Sequence, residues 1–384
     1  MSGPVAGVPL LDIARGNSPL REEFIEALAG VIDSGRFLFG PEVSELEREV
    51  ARLSQVDHAI GCASGSDALL LALMALDIGP GDEVIVPSFT FFATVSCVTR
   101  LGATPVFADI NPRTFNIDPA AIAAAITPAT RAIIPVHLFG QCAEIDAICR
   151  LATQKDIAVV EDAAQAIGAA YHSRAAGSWG QIGCFSFYPT KNLGGMGDGG
   201  MLTATDASMA ERLRLFAAHG MQPRYHHRVV GINSRLDTFQ AAVLGVKMKH
   251  LSVAVAARQE NAARYTEMFT DAGLDEAVVL PAVDPHAYHV WNQYAIRIEA
   301  SQRDTLRQHL AADGIGSEVY YPIPVHAQAC YASEPWSRVE LPETERAARE
   351  ILNLPIFPEL TAEEQERVVA SIGSFFAKQN RAAA

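Results

Sequence analysis

The chain has 384 residues, 49% of them apolar and 19% charged, with 30 Lys+Arg against 44 Asp+Glu and a formal net charge of −14. That balance describes a globular protein with ample core material and argues against gripping a nucleic-acid backbone, which needs a basic face. It leaves anionic small ligands open, because backbone N–H groups can hold a phosphate inside an acidic protein. In chain order, Ser64-Gly65-Ser66-Asp67-Ala68 precedes an apolar helix over Leu69–Leu76. Short β-type runs then alternate with helical stretches. Strands are expected at Glu83–Pro87, Pro105–Asp109, Arg131–Val136 and Ala158–Asp162, with helices at Phe92–Leu101, Asp118–Ile126 and Ala143–Asp156. Asp118 and Pro119 have the residue types of a helix cap and first turn. Such a series implies a mostly parallel sheet covered on both faces, with ligands collecting at the C-terminal ends of its strands. Leu236 to Asp271 reads as one long Ala-rich helix leaving that unit. A strand near Trp291–Ile298 and helices near Gln302–Asp313, Glu343–Leu352 and Thr361–Phe375 follow. Residues 1–250 are expected to form a large unit and 251–384 a smaller one. The tail Arg381–Ala384 is expected to fray.

The longest unbroken apolar run, Ala68 to Leu76, is about half of what a bilayer crossing requires, so no membrane partner is expected. Met1 to Leu20 shows no basic stretch followed by an apolar core, so no secretory leader is expected. The six cysteines, Cys62, Cys97, Cys142, Cys149, Cys184 and Cys330, form no CxxC pair and no metal-type spacing. They read as reduced, mostly buried thiols of a cytoplasmic protein with no metal site.

Three segments carry chemistry when read together. Gly65 and Ser66 open a helix whose free N–H groups suit an anion, although Ser64 also fits as an ordinary cap on a core helix. The strand Ala158–Asp162 ends in two carboxylates, Glu161 and Asp162, followed by a small-residue turn with Gln165. A carboxylate there suits a protonated ring nitrogen, and equally suits a surface cap for the next helix. The run Ser186-Phe187-Tyr188-Pro189-Thr190-Lys191-Asn192 places one lysine between a hydroxyl-rich turn and a loop with five glycines. A lysine that forms a Schiff base must be partly desolvated and free to swing; aromatic neighbours supply the first and glycines the second. Gly195-x-Gly197-x-Gly199-Gly200 only superficially matches a dinucleotide loop. It runs into the apolar Met201–Ala204, and no acidic residue stands about 20 positions on, where His219 lies. An anion cradle, a carboxylate for a ring nitrogen and a desolvated lysine are the groups that pyridoxal phosphate asks of a protein.

From about Gly35 to Phe375 the chain resembles the DegT/DnrJ/EryC1/StrS family of pyridoxal-phosphate-dependent nucleotide-sugar aminotransferases. The resemblance rests on SGSDAL (64–69), PSFTFFAT (87–94), PVHLFGQ (135–141), EDAAQA (161–166), SFYPTKNLGG (186–195), VGINSRLD (230–237) and YYPIPVH (320–326). It implies a fold type I α/β architecture: a large, mostly parallel sheet domain plus a smaller C-terminal α/β domain. It also implies roles. Lys191 would hold pyridoxal 5'-phosphate covalently and shuttle the proton, and Asp162 would pair with the ring nitrogen. Gln165 would lie near the cofactor's phenolic oxygen. Gly65, Ser66 and Ser186 would contact the phosphate, and Phe91 would stack on the ring. Asn233 would reach the phosphate of a neighbouring subunit, making a homodimer with shared sites. Arg235, Tyr321 and His326 would face the sugar. From the residues alone, Phe91 fits a core role equally, and Arg235 fits a pair with Asp237. His137 and His219 are read as satisfied structural histidines.

The implied reaction moves an amino group from L-glutamate to a nucleotide-linked keto-sugar. The run YHHRVVGINSRLD together with YYPIPVH most resembles members acting on UDP-2-acetamido-2-deoxy-3-oxo-glucuronate, whose carboxylate Arg235 would bind as a fork. A dTDP-linked 3-oxo- or 4-oxo-6-deoxyhexose is the alternative. A sugar dehydratase on this scaffold would carry His in place of Lys191. A non-catalytic regulator would be expected to lose Lys191 or to add a DNA-binding segment.

Overall fold

The computed structural model describes residues 7–383. Three helices open the chain: α1 (Ile13–Asn17), α2 (Arg21–Ser34) and α3 (Pro41–Leu53). The alternating region follows as β1 (His58–Cys62), α4 (Gly65–Ala75), β2 (Glu83–Pro87), α5 (Ala93–Arg100), β3 (Thr104–Ala108) and α6 (Pro119–Ala125). It continues with β4 (Thr130–Ile133), α7 (Ile145–Lys155), β5 (Ala158–Asp162), the two-residue strands β6 (Ala170–Tyr171) and β7 (Arg174–Ala175), β8 (Ile182–Ser186), β9 (Gly200–Ala204) and α8 (Ala207–Ala217). The rest comprises α9 (Thr238–Met248), α10 (Leu251–Asp271), β10 (Ala287–Tyr288), β11 (Tyr294–Arg297), α11 (Ala300–Ala312), α12 (Pro342–Glu350), β12 (Ile351–Leu354) and α13 (Ala362–Ala383).

Seven strands form one sheet in the order β1-β9-β8-β5-β4-β2-β3. Only β9 runs against the others, antiparallel to β1 and β8; the pairs β8–β5, β5–β4, β4–β2 and β2–β3 are parallel. The expected mostly parallel sheet is therefore present. Its strands are apolar on both faces and split their side chains by alternation. Ile85, Ile133 and Val159 pack with α3, α7 and α9, whereas Val84, Ile134 and Val160 pack with α4, α5 and α8. A third cluster joins Tyr265 and Phe269 of α10, Leu306 of α11, β12 and α13 to Phe89, Val136 and Phe139. Those last three lie just beyond the C-terminal ends of β2 and β4, so α10, α11, α13 and β12 pack over those strand ends. Val8 also bridges to Ile315, just after α11.

Two expected elements need correction. Leu236–Asp271 is two helices, broken at Lys249 and His250. No Pro or Gly marks the break, so the Ala-rich pattern concealed it. The first helix packs against α2 and α3, and the second runs to α13. Glu343–Leu352 is not helical throughout. The chain leaves the helix at Ile351 and becomes β12, antiparallel to β11. Burial of the whole run Ile351–Leu354 decides this, overriding helix propensity. The expected cap holds, since Asp118 accepts from the N–H of Ala120 at 2.8 Å. The tail continues as helix through Ala383, and Ala384 lies outside the described residues.

Candidate active site

The C-terminal end of β5 is held by the segment that follows β4. Asp162 N–H donates to Pro135 and its carbonyl accepts from His137 N–H, both at 2.9 Å. Alternation then sends the two adjacent carboxylates opposite ways. Glu161 faces a closed pocket and accepts from the N–H groups of Gly177, Trp179 and Gly180 at 2.7–2.8 Å, and from His137 Nε2 at 2.9 Å. His137 Nδ1 accepts from Ala143 N–H at 3.1 Å, so Nε2 carries the proton. Glu161 and His137 are thus a buried structural pair. His219, by contrast, has an exposed side chain.

Asp162 faces the site. Its Oδ2 accepts from the Thr94 hydroxyl at 2.7 Å and its Oδ1 from Ala164 N–H at 3.2 Å. Burial pushes its carboxyl up. The Thr94 hydroxyl, the Ala164 amide and then the charge of Lys191 oppose that. Lys191 is affected in turn: burial brings its amine down to about 8, against the pull of Asp162. Among the described residues the Lys191 amine makes no hydrogen bond. A neutral amine poised near pH 8 opposite a buried carboxylate is an arrangement for proton transfer.

Ser64 caps α4, accepting from Asp67 N–H at 3.1 Å, and leaves the N–H groups of Gly65 and Ser66 at the open helix end. Gly65 packs on Ser186, where an added Cβ would come within 2.6 Å of the serine Cβ. Only glycine allows that contact, and it sets the Ser186 hydroxyl beside the free amides. Phosphate is the kind of anion such a cradle takes.

The lysine loop is pinned rather than loose. Asn192 donates to Val290 O at 2.7 Å, Lys247 donates to Gly194 O at 2.8 Å, and Gln240 accepts from Met196 N–H at 2.9 Å. An added Cβ on Gly194 would stand 2.4 Å from Pro189 O, and on Gly197 2.9 Å from Gln240. These glycines serve close packing, not the freedom of the lysine that was expected of them.

Gln165 Oε1 accepts from Phe139 N–H at 2.7 Å, and its Nε2 donates to the Tyr321 hydroxyl at 3.3 Å. Tyr321, whose phenol burial pushes up, lies 6.3 Å from the ring of Phe91 and 6.2 Å from that of Phe89. Phe89 is in the core, but Phe91 is 58% exposed, so the core alternative for Phe91 fails. The structure therefore brings Asp162 within the field of Lys191 and of Tyr321, sets Tyr321 against Gln165 and near Phe91, and packs Gly65 on Ser186, with Ser66 exposed. His326 lies elsewhere in role. Ser88 Oγ sits 2.7 Å from its Nδ1 and 3.0 Å from its N–H, and its ring packs on Phe107. Asn233 is exposed and Arg235 half-buried, on either side of the buried Ser234, whose hydroxyl accepts from Ala63 N–H at 3.1 Å. Arg235 forms no ion pair with Asp237 or any other described residue, and its guanidinium lies over Phe39 at 5.7 Å. Sequence reasoning missed Thr94 and Thr90. Both stand four residues apart inside the quoted run 87–94, which was the available signal.

The model of the DegT/DnrJ/EryC1/StrS aminotransferase family matches residues 19–373. The chain belongs to this family. It is an aminotransferase that uses pyridoxal phosphate, and the fold is that of fold type I. The chain is 48% identical to a pleiotropic regulatory protein of Geobacillus stearothermophilus, covering 96% of this chain and 98% of that one. It is 46% identical to a UDP-N-acetyl-3-dehydro-alpha-D-glucosamine 3-aminotransferase of Acidithiobacillus ferrooxidans, covering 95% and 97%. It is 40% identical to a UDP-2-acetamido-2-deoxy-3-oxo-D-glucuronate aminotransferase of Pseudomonas aeruginosa, covering 95% and 99%. The crystal structure of S. venezuelae DesV superposes with a TM-score of 0.93 at 44% identity, covering 97% and 99%. Bacillus subtilis NtdA, solved with bound PMP, superposes at 0.90 with 33% identity, covering 97% and 85%.

The residues present fit the cofactor. The amine of Lys191 has no competing partner among the described residues, a buried carboxylate stands within its field, and the Gly65–Ser186 contact builds a cup that a Cβ would fill. Among the described residues no group of His, Cys, Asp and Glu could hold a metal, and no helix is long and apolar enough to cross a membrane. Cys62, Cys97, Cys142 and Cys184 are buried, Cys149 is half-buried and Cys330 exposed, all as free thiols.

Proposed function

We propose that the protein moves an amino group from L-glutamate to the keto carbon of a nucleotide-linked sugar, at C3, with UDP-2-acetamido-2-deoxy-3-oxo-glucuronate as the favoured substrate. We further infer that it works as a cytoplasmic homodimer in which Asn233 and Arg235 complete the partner's site. Support for C3 comes from the relatives of A. ferrooxidans and P. aeruginosa, whose names place the oxo group or the new nitrogen there. The observation that carries the uronate reading is Arg235. Its guanidinium is half-buried, unpaired among the described residues and steadied on Phe39, which makes it a free fork for a carboxylate. The favoured reading for Asn233 is a reach across the interface, since it is exposed beside the similarly exposed Tyr225 and Val230.

In this reading Gly65, Ser66 and Ser186 hold the phosphate, and Asp162 holds the ring nitrogen protonated. Gln165 stands near the phenolic oxygen, while Phe91 and Tyr321 border the ring. When bound, pyridoxal phosphate would supply an electron sink for the charge left at the amino acid's Cα. Lys191 would take the Cα proton as a neutral amine and return it to a carbon two atoms away, across the nitrogen being transferred, a step worth roughly 10²–10⁴ in rate. Asp162 supports that charge shift by staying ionised. Tyr321 fixes the Gln165 amide, and His326 holds the 320–326 run against Ser88 where the sugar would lie.

A second reading, a neutral 3-keto-sugar, is favoured by the higher identity to the A. ferrooxidans relative, 46% against 40%. A panel decides between them. Enzyme loaded with pyridoxamine phosphate is mixed with UDP- and dTDP-linked keto-sugars, and return of the aldehyde form is followed by absorbance. The uronate should react fastest, and Arg235→Ala should cost it roughly ten- to a hundred-fold while sparing a neutral sugar. Equal loss on both overturns the carboxylate role.

A further inference from the structure

We propose that Thr94 is a positioning residue for Asp162, and that Thr90 positions Thr94. Together they form a two-hydroxyl relay that keeps this carboxylate ionised and fixed opposite the cofactor's ring nitrogen. The proposal rests on the reading above that Asp162 pairs with that nitrogen.

A threonine hydroxyl in a helix ordinarily bonds back to the carbonyl three or four residues earlier. The other hydroxyls of α5 do so: Ser96 Oγ donates to Ala93 O at 3.4 Å, and Thr99 Oγ1 to Ser96 O at 3.2 Å. Thr94 does not. Its hydroxyl reaches Asp162 Oδ2 at 2.7 Å, at the end of β5 and 68 residues away in sequence. The hydroxyl four residues earlier, Thr90 Oγ1, lies 2.9 Å from Thr94 Oγ1.

Proton counting fixes the direction. A hydroxyl has one hydrogen, and an ionised carboxylate only accepts. Thr94 therefore donates to Asp162, and Thr90 must donate to Thr94. Thr94 is 0% and Thr90 2% exposed, so water does not substitute for either bond. Asp162 has one further neutral donor, the more distant Ala164 N–H. The relay thus supplies its shortest hydrogen bond, in a place where burial alone favours the protonated acid. The two threonines also stand on the segment that carries Phe91, so the relay ties that segment to Asp162.

The test titrates the Asp162 carboxyl in the cofactor-loaded protein by infrared absorption of its protonated form, assigned by its loss in Asp162→Asn. The visible band of the bound cofactor is recorded alongside. Thr94→Val should raise the midpoint by about one to two pH units, the size expected for a hydrogen bond to a charged group. Thr90→Val should raise it by less, and Thr94→Ser should restore the wild-type midpoint. Thr94→Ala makes the same comparison should valine prevent folding. An unchanged midpoint in both hydroxyl-free variants overturns the relay while the cofactor band persists. A wild-type protein that shows no cofactor band overturns the reading beneath it instead.

Discussion

Lys191 is asked to be a base, and its surroundings already bias it that way. Burial brings the amine down to about 8, so it loses its proton in a range where an exposed lysine, near 10.4, is fully charged. The sign follows directly: reactivity is present above pH 8 and is lost as the amine protonates below it. In the cofactor-free protein, acylation of Lys191 followed by peptide mapping should therefore be half-maximal near pH 8. A midpoint near 10 would contradict the account. At this scale the residue types were legible in the sequence only when read together, because a strand-end carboxylate and a Gly-Ser helix start each fit a helix cap on their own. From the residues alone, which of two adjacent carboxylates faced the site was not legible; the family resemblance assigned Asp162, and strand alternation with the four donors around Glu161 gives the physical reason that Glu161 turns away.

The elements bring those residues together by short, pinned connections. The lysine loop is held by Asn192, Lys247 and Gln240, and its glycines let backbone approach backbone. Gly194→Ala would drive a methyl to 2.4 Å from Pro189 O, so the loop must shift. The expected cost is about 1–3 kcal/mol of stability with weakened cofactor retention, read by melting temperature and dialysis. Full retention in Gly194→Ala would contradict that role. The parallel strands were legible because both-face burial leaves continuous apolar runs bounded by Gly, Pro and Asp. The α9–α10 break was not, because tertiary packing at its two ends places it. The strand β12 was hidden for a related reason, since its pairing with β11 is non-local.

Over the whole molecule, α10, α11, α13 and β12 share a core with the residues beyond the C-terminal ends of β2 and β4. His289, fully desolvated, stacks on Trp291 of that core at 3.9 Å and accepts that residue's N–H at 2.9 Å. Burial pushes this imidazole down to about 3. A folded-state value below the unfolded one stabilises the fold above pH 6.5, and that contribution is lost as pH falls towards 3. By pH 4.5 the loss should reach about 2–3 kcal/mol, and His289→Gln should flatten that share of the melting-temperature slope. A parallel slope in the variant would contradict it. The fold class, the strand series and the site's location at the strand ends were legible from pattern and motif order. The approach of Tyr321 to Phe91, and the packing of His326 on Ser88, depend on contacts between segments more than 200 residues apart.

The most direct test is borohydride reduction of the protein loaded with pyridoxal phosphate, followed by mass mapping of its lysine peptides. A single modified lysine, Lys191, is expected, with loss of the yellow colour and of amino transfer. Attachment at Lys247 or another lysine, or no attachment at all, would contradict it.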